Sequence, residues 1–386
     1  MGGRANDVDW LRTVASYLVV VYHAAQIFDF QNKSYYKNAE RSPSLDLFTR
    51  FVHLWHMPLF FLLAGWSCKL SLERRGAAKF LIERAQKLLV PLLFGMLVLC
   101  AAPRWVEYRC GRWKPRSEEG SPSPLVHSFT TFLRVHYYFE GLTWNHLWFL
   151  VYLFTFCAIY LPGFWLLSHQ VSGRPRGHPK WTWVMANGPV VLLAVVQLRL
   201  RNRWPGYQNL VDDWANFWFY SIFFIAGFCL SLSKSLEDHI HLHWKMNGAL
   251  GLLSCCLYVF PDSFSRLYFS NSEHIQHVLS SSGAWYFVCF LRSAAHRYLS
   301  NHPAPAFLSD NAFPVYIIHE VPLFLFAHFV LGKWSAPVGI KFAASVTVAL
   351  LSSLLVLQTI VNRSRVFSFL LGAKEVKRVK SGPHQD

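Results

Sequence analysis

This sequence predicts an all-α fold: a polytopic transmembrane helical bundle of about ten helices, one domain over residues 1–361, followed by a basic cytoplasmic tail over 362–386. Three observations predict it. The chain is 53% hydrophobic and only 15% charged, where a soluble protein carries about a quarter charged residues. About ten apolar runs approach the roughly 20 residues that a bilayer requires. The basic residues behind the formal charge of +16 punctuate those runs instead of forming one stripe. They point to lipid headgroups or an anionic substrate, and no nucleic acid partner is expected.

The runs lie at 10–30, 53–72, 86–103, 146–167, 183–198, 214–233, 246–260, 278–295, 313–332 and 338–361. The first follows MGGRANDVDW, which lacks an apolar core with a small-residue cleavage site, so a retained helix is expected. Asn at position 6 argues against N-myristoylation. The second carries HMPLFFLLAGW, and the third follows the basic connection 69–87. The fourth comes after an Arg-, Pro-, Ser- and Glu-rich excursion at 104–143, and the fifth after a flexible connector at 168–182. The seventh is short, and the eighth opens on VLSSSGAW. Pro314 and Pro322 predict a distorted ninth helix. Seven of the eight cysteines fall in apolar segments, and no CxxC or Cys/His ligand spacing occurs, so neither a disulfide framework nor a metal site is expected. Six Lys and Arg residues in 69–87 give one side a basic excess, which places both termini in the cytoplasm.

Chemistry is expected first at Arg12 and His23. Eleven residues make about three turns, so both side chains share one face about 16 Å apart along the axis. Ionisable groups in a spanning helix are costly in lipid and normally face a protein interior or water. Imidazole suits general base work near neutrality. Asp9, one turn before Arg12, is a candidate partner for it. The bland alternative for His23 is a structural hydrogen bond to a neighbouring helix. His53 and His56 stand one turn apart without a third ligand nearby, which favours interfacial or hydrogen-bonding roles over a metal. Arg74, Arg75, Lys79, Arg84 and Lys87 gather before the third helix, where they could hold phosphates, bind anionic lipid or set topology. His319 and Glu320 sit inside an apolar run, a second buried His–acid pair. His146 in NHLWFLVYL reads as an interfacial anchor.

Taken in order, these pieces resemble the acyltransferase-3 family of integral-membrane acyl transferases over nearly the whole chain. Arg12 followed eleven residues later by His23 resembles the family's opening pattern. HMPLFFLLAG resembles its second-helix signature. RAQKLLVP resembles its basic motif, with Arg84 and Lys87 at the basic positions. HLWFLVYL, FFIAGF at 223–228 and FPVYIIHE resemble later signatures, the last containing His319. Two departures stand out. The second basic position is often arginine in the family, and Lys87 lacks bidentate geometry. The Glu-Glu signature of the polysaccharide O-acetylating branch is missing near 146–153, and HLWFLVYL is closer to the branch with glucan-modifying succinyl transferases.

The resemblance implies transfer of acetyl or another short acyl group from cytoplasmic acyl-CoA, a co-substrate rather than a bound cofactor. The acceptor is a hydroxyl of a glycan or small metabolite. His23 would be the general base. Arg12 would position the pantetheine or phosphates, or stabilise negative charge. Arg74, Arg75, Arg84 and Lys87 would bind the nucleotide phosphates, and His319 would line the chamber and orient the acceptor. The chamber is expected to open to the cytoplasmic side, with membrane lipid around the bundle. Rival readings are a transporter of an organic anion, against which no repeated halves appear, a membrane-bound O-acyltransferase of unrelated fold, and a non-catalytic sensor.

Overall fold

The computed structural model describes residues 5–31, 33–114, 129–137, 142–170, 179–260 and 272–373. Residues 115–128 and 138–141 of the 104–143 excursion, most of the 168–182 connector and the basic tail from Lys374 lie outside the described residues. Among the described residues there is no strand, and all ten predicted runs fall on helices. They are α1 (Asn6–Gln26), α2 (Pro43–Arg75), α3 (Ala77–Phe94), α4 (Ala101–Arg109), α5 (Phe129–Tyr137), α6 (Trp148–Gln170), α7 (Pro179–Leu200), α8 (Trp214–Leu232), α9 (Lys234–Leu242), α10 (Trp244–Val259), α11 (Glu273–Leu299), α12 (Ala306–Ile318), α13 (Glu320–Phe329), α14 (Val338–Thr359) and α15 (Arg365–Leu370).

Among the described residues, six helical stretches are long and apolar enough to cross a membrane, or up to seven if the bent pair α12/α13 is one span. The three predicted spans outside that set have physical reasons. Helix α1 carries Asp7, Asp9, Arg12 and His23. Helix α10 has 16 residues, short of the roughly 20 needed. Helix α11, at 27 residues, holds Glu273, His277 and Arg292. Polar helices of this kind are tolerated when the polar groups face inward, and the Arg292 guanidinium does so, at 3% exposure. It donates to Asp7 at 2.6 Å and Glu237 at 2.5 Å and lies 5.4 Å from the Trp66 ring. One cation thereby ties α1, α9, α2 and α11 at the end of the bundle that holds the N-terminus.

Local sequence sets the boundaries. Ser42 caps α2 by accepting from the Leu45 amide, with Pro43 at the first helical position. Gly76, at φ 73°, ends α2 in a left-handed conformation and starts α3 at once. The basic cluster is therefore split between two helices and does not form one amphipathic element. Between α3 and α4 the chain continues through a π-helical segment, Gly95–Leu99, so Ala77–Arg109 is a single span. The break between α12 and α13 bends by 53° at His319. Pro322 falls in the first turn of α13, the place where a missing N–H costs least.

The tightest packing is between α2 and α8. A Cβ on Gly65 would lie 1.9 Å from the Phe224 carbonyl oxygen, and one on Gly227 would lie 2.0 Å from that of Leu62. The two backbones touch directly, as small residues allow in membrane helix pairs. Gly227→Ala should destabilise the detergent-purified protein by about 3 kcal/mol, the upper range for overpacking. Gly339→Ala, where nothing lies within 4 Å of the new methyl, should be neutral. Thermal unfolding of the two variants side by side checks this.

Candidate active site

Four side chains from three parts of the chain meet around one carboxylate. Glu320 opens α13 directly after the bend and is 1% exposed. Its Oε1 lies 2.7 Å from His23 Nδ1, near the end of α1. Its Oε2 lies 2.7 Å from His146 Nδ1, in the short turn Asn145–Leu147 before α6. His319 completes the group, with its ring centroid 5.1 Å from those of both His23 and His146. Asn145 adopts φ 44°, a left-handed conformation that asparagine enters more readily than most residues, and so turns the chain to bury His146.

The contacts fix the protons. With Nδ1 of His23 on the carboxylate, Nδ1 carries the hydrogen and Nε2 keeps a lone pair. His319 Nδ1 donates to the Tyr316 carbonyl at 2.8 Å, which also leaves its Nε2 as an acceptor. That atom is buried without a hydrogen-bond partner. His146 differs, because its Nε2 faces the Ile317 carbonyl at 3.2 Å while Nδ1 faces Glu320. Both its nitrogens therefore face oxygen atoms, the carbonyl of Ile317 and the carboxylate of Glu320. Donor atoms of His23, His319 and Glu320 lie within 4.8 Å of one another, close enough to hold a metal ion. The two 2.7 Å contacts are hydrogen-bond distances, however, and a metal would have to replace the protons in them. The arrangement fits a proton hub better than a metal centre.

His23, His146 and Glu320 form the floor of a cavity of about 1200 Å³. Its walls come from the end of α1, the beginnings of α2, α6, α8 and α11, and the end of α7. It therefore opens at the end of the bundle opposite the N-terminus. The expected cytoplasmic opening and the expected cytoplasmic N-terminus therefore do not fall on the same face of the bundle, because the helix ends that carry the cavity's polar residues lie opposite the N-terminus. The lining mixes polar and apolar surface, with Gln197, Asn202, Asn216 and Gln276 among the amides. His53 lines it and bonds the Tyr22 hydroxyl at 3.2 Å. His56 lines it too, at 3% exposure and with neither ring nitrogen partnered.

The other predicted residues fall elsewhere. Arg12 is not among the lining residues. Its guanidinium donates to the Leu63 carbonyl at 3.1 Å and to the Ser67 hydroxyl on α2. Arg84 on α3 is within electrostatic range of it, as are Asp9 and Cys68. Arg84 itself lies 5.1 Å from the Phe80 ring. Arg74 and Arg75 are exposed in the last turn of α2, and Arg75 pairs with Glu83. Lys87 is exposed. His319 sits at 0% exposure behind the lining instead of in it. The sequence brought His23 and Glu320 into view; it undervalued His146, whose part depends on contacts some 170 residues away along the chain. All eight cysteines are free thiols.

No curated protein and no solved structure matches the chain. The family model described as an acyltransferase domain, acyltransferase-3, matches residues 6–360. With an all-α fold, several membrane-crossing helices and a match over nearly its whole length, the chain belongs to the acyltransferase-3 family and is a multi-pass membrane acyltransferase.

Proposed function

We propose that the protein moves a short acyl group from acyl-CoA to a hydroxyl of a carbohydrate or small hydroxylated metabolite held in the cavity. The observation that carries this reading is the His23–Glu320 contact at the cavity floor. The carboxylate holds the imidazole in one tautomer, with the basic Nε2 available to a hydroxyl, as an acid orients a base in other acyl-transfer sites. His23 takes the proton from the acceptor hydroxyl. The oxygen attacks the acyl carbonyl, the C–S bond breaks with its electron pair going to sulfur, and the CoA thiolate takes the proton back from His23 as it leaves. The Glu320–His146 pair stabilises the imidazolium that forms, and His319 packs the floor without touching the acceptor.

Arg12 and Arg84 stand about three helical turns from His23, towards the other end of the bundle. We assign them to the donor, with Arg74 and Arg75 in the exposed last turn of α2 and Lys87 exposed one turn beyond Arg84 on α3. Guanidinium groups hold phosphates by charge-assisted hydrogen bonds, and a flexible pantetheine arm spans the distance to the floor. In this reading the donor enters at the N-terminal end, the cytoplasmic one, and the acceptor enters at the opposite end. A hydroxylated compound fits the amide-rich walls better than an apolar one.

His23→Ala should lower turnover by about 10²- to 10⁴-fold, measured with labelled acetyl- and succinyl-CoA and the purified protein well below its unfolding temperature, which should itself fall because buried Glu320 loses a partner. Glu320→Gln should lower turnover by at least about 10²-fold, since a neutral amide no longer enforces the tautomer. Full activity in His23→Ala would eliminate it as base. Arg84→Ala should raise the KM for acyl-CoA about tenfold with little change in kcat, the sign of lost ground-state binding. Counterflow of an organic anion in proteoliposomes, with no acyl-CoA consumed, would replace this reading by the transporter.

A further inference from the structure

Three cations, Lys33, Arg50 and Arg201, line the cavity. Arg50 lies 4.0 Å from Asp46. Arg201 is held differently. Its Nε donates to Gln197 Oε1 at 2.7 Å, and its Nη1 to Asn216 Oδ1 at 2.9 Å. Both partners are neutral, so the guanidinium is fixed in place without direct contact to a carboxylate, Asp213 standing behind Asn216. Lys33 and Arg201 are within electrostatic range of each other, and His53 is within range of both. Neither cation forms an ion pair with a carboxylate among the described residues. Asp213 lies within electrostatic range of Arg201 and Asp29 within range of Lys33, each carboxylate being engaged by another partner, Tyr152 and Lys37 respectively, and the two lining acids are also engaged. Glu320 is engaged by imidazoles at the floor, and Glu273 accepts from Asn202 at 3.3 Å.

Fixed charge of one sign in a concave, partly desolvated site focuses the potential and selects a ligand of opposite sign. A second observation points to the same ligand. His56 is buried in the cavity wall with both ring nitrogens unpartnered, and such groups carry a desolvation cost that a ligand hydroxyl would relieve.

We propose that the acceptor is an anionic polyhydroxyl compound. Arg201, with Lys33, binds its phosphate or carboxylate, His56 binds one hydroxyl, and another hydroxyl reaches His23. The anionic group belongs either to a soluble sugar acid or sugar phosphate, or to a lipid headgroup that carries hydroxyls. The proposal rests on the cavity being the acceptor chamber, so its test includes a measurement without acyl donor.

The full-length protein in detergent is titrated calorimetrically with glucose, glucuronate and glucose 6-phosphate at constant ionic strength. One of the two anions should bind at least about tenfold more tightly than glucose, the loss expected for one charge-assisted contact. Arg201→Gln should erase the difference, and Arg201→Lys should keep part of it, which separates loss of charge from loss of fold. In nanodiscs, an Arg201-dependent rise in unfolding temperature with phosphatidylinositol over phosphatidylcholine alone, and no preference among the soluble sugars, assigns the site to a lipid headgroup. Absence of any anion preference in both formats overturns the proposal. So does a preference that survives Arg201→Gln combined with Lys33→Gln, or displacement of the bound anion by CoA. Arg201-dependent anion binding without acyl transfer leaves the anion site standing and removes the acceptor reading. Equal acyl transfer to glucose and glucuronate in the parent and in Arg201→Gln removes the anion site and leaves the acyltransferase.

Discussion

A carboxylate in the middle of an apolar bundle has to be compensated on both oxygens, and Glu320 is the group on which the rest of this structure depends. Burying an ion costs several kcal/mol after relaxation, and removing one partner of a buried pair typically costs about 3–5 kcal/mol. Two imidazoles meet that requirement here, one from α1 and one from the turn before α6. Their convergence draws the end of the first helix, the start of the sixth and the bend in α12/α13 to one point. The same contacts leave a basic nitrogen at the floor of a wet cavity. In the proposed reading stability and chemistry come from this one set of contacts, and the site cannot be loosened without loosening the fold.

The bend at His319 has the same origin. A straight helix across 306–329 would carry Glu320 past the floor in a regular spiral. The break lets α13 begin at Glu320, with His319 tucked behind it at 0% exposure. Pro322 makes that position the least costly place to stop and restart. At the opposite end of α1, Arg292 performs a comparable task with reversed signs, gathering Asp7 and Glu237 around one buried guanidinium. The bundle is pinned by charge at both ends of its first helix and by close backbone contact in between.

The sequence disclosed much of this and hid a definable part. Hydrophobic runs are read by length alone, and all ten landed on helices. The His23 and Glu320 positions were legible because an ionisable group in an apolar run always needs an explanation. The shared face of Arg12 and His23 was legible too, but a common face is not a common cavity. Across eleven residues α1 passes from the side of Ser67 to the side of Glu320, so the two groups meet different neighbours. His146 was read as an interfacial anchor because nothing within its own segment places it beside residues 316–320. The cations of the mouth were equally silent, since Arg201 and Lys33 lie in connections whose folding depends on contacts remote in the chain.

The glycine contact between α2 and α8 carries one more consequence. Where two backbones meet with no side chain between them, there is no padding to compress and no rotamer to exchange. Helix α2 presents Ser67 and Leu63 to Arg12 near one end and His53 and His56 to the cavity near the other. Clamped beside the residues that meet Arg12, it behaves as a stiff ruler, and the gap between the guanidinium and imidazole stations becomes a length built into the molecule.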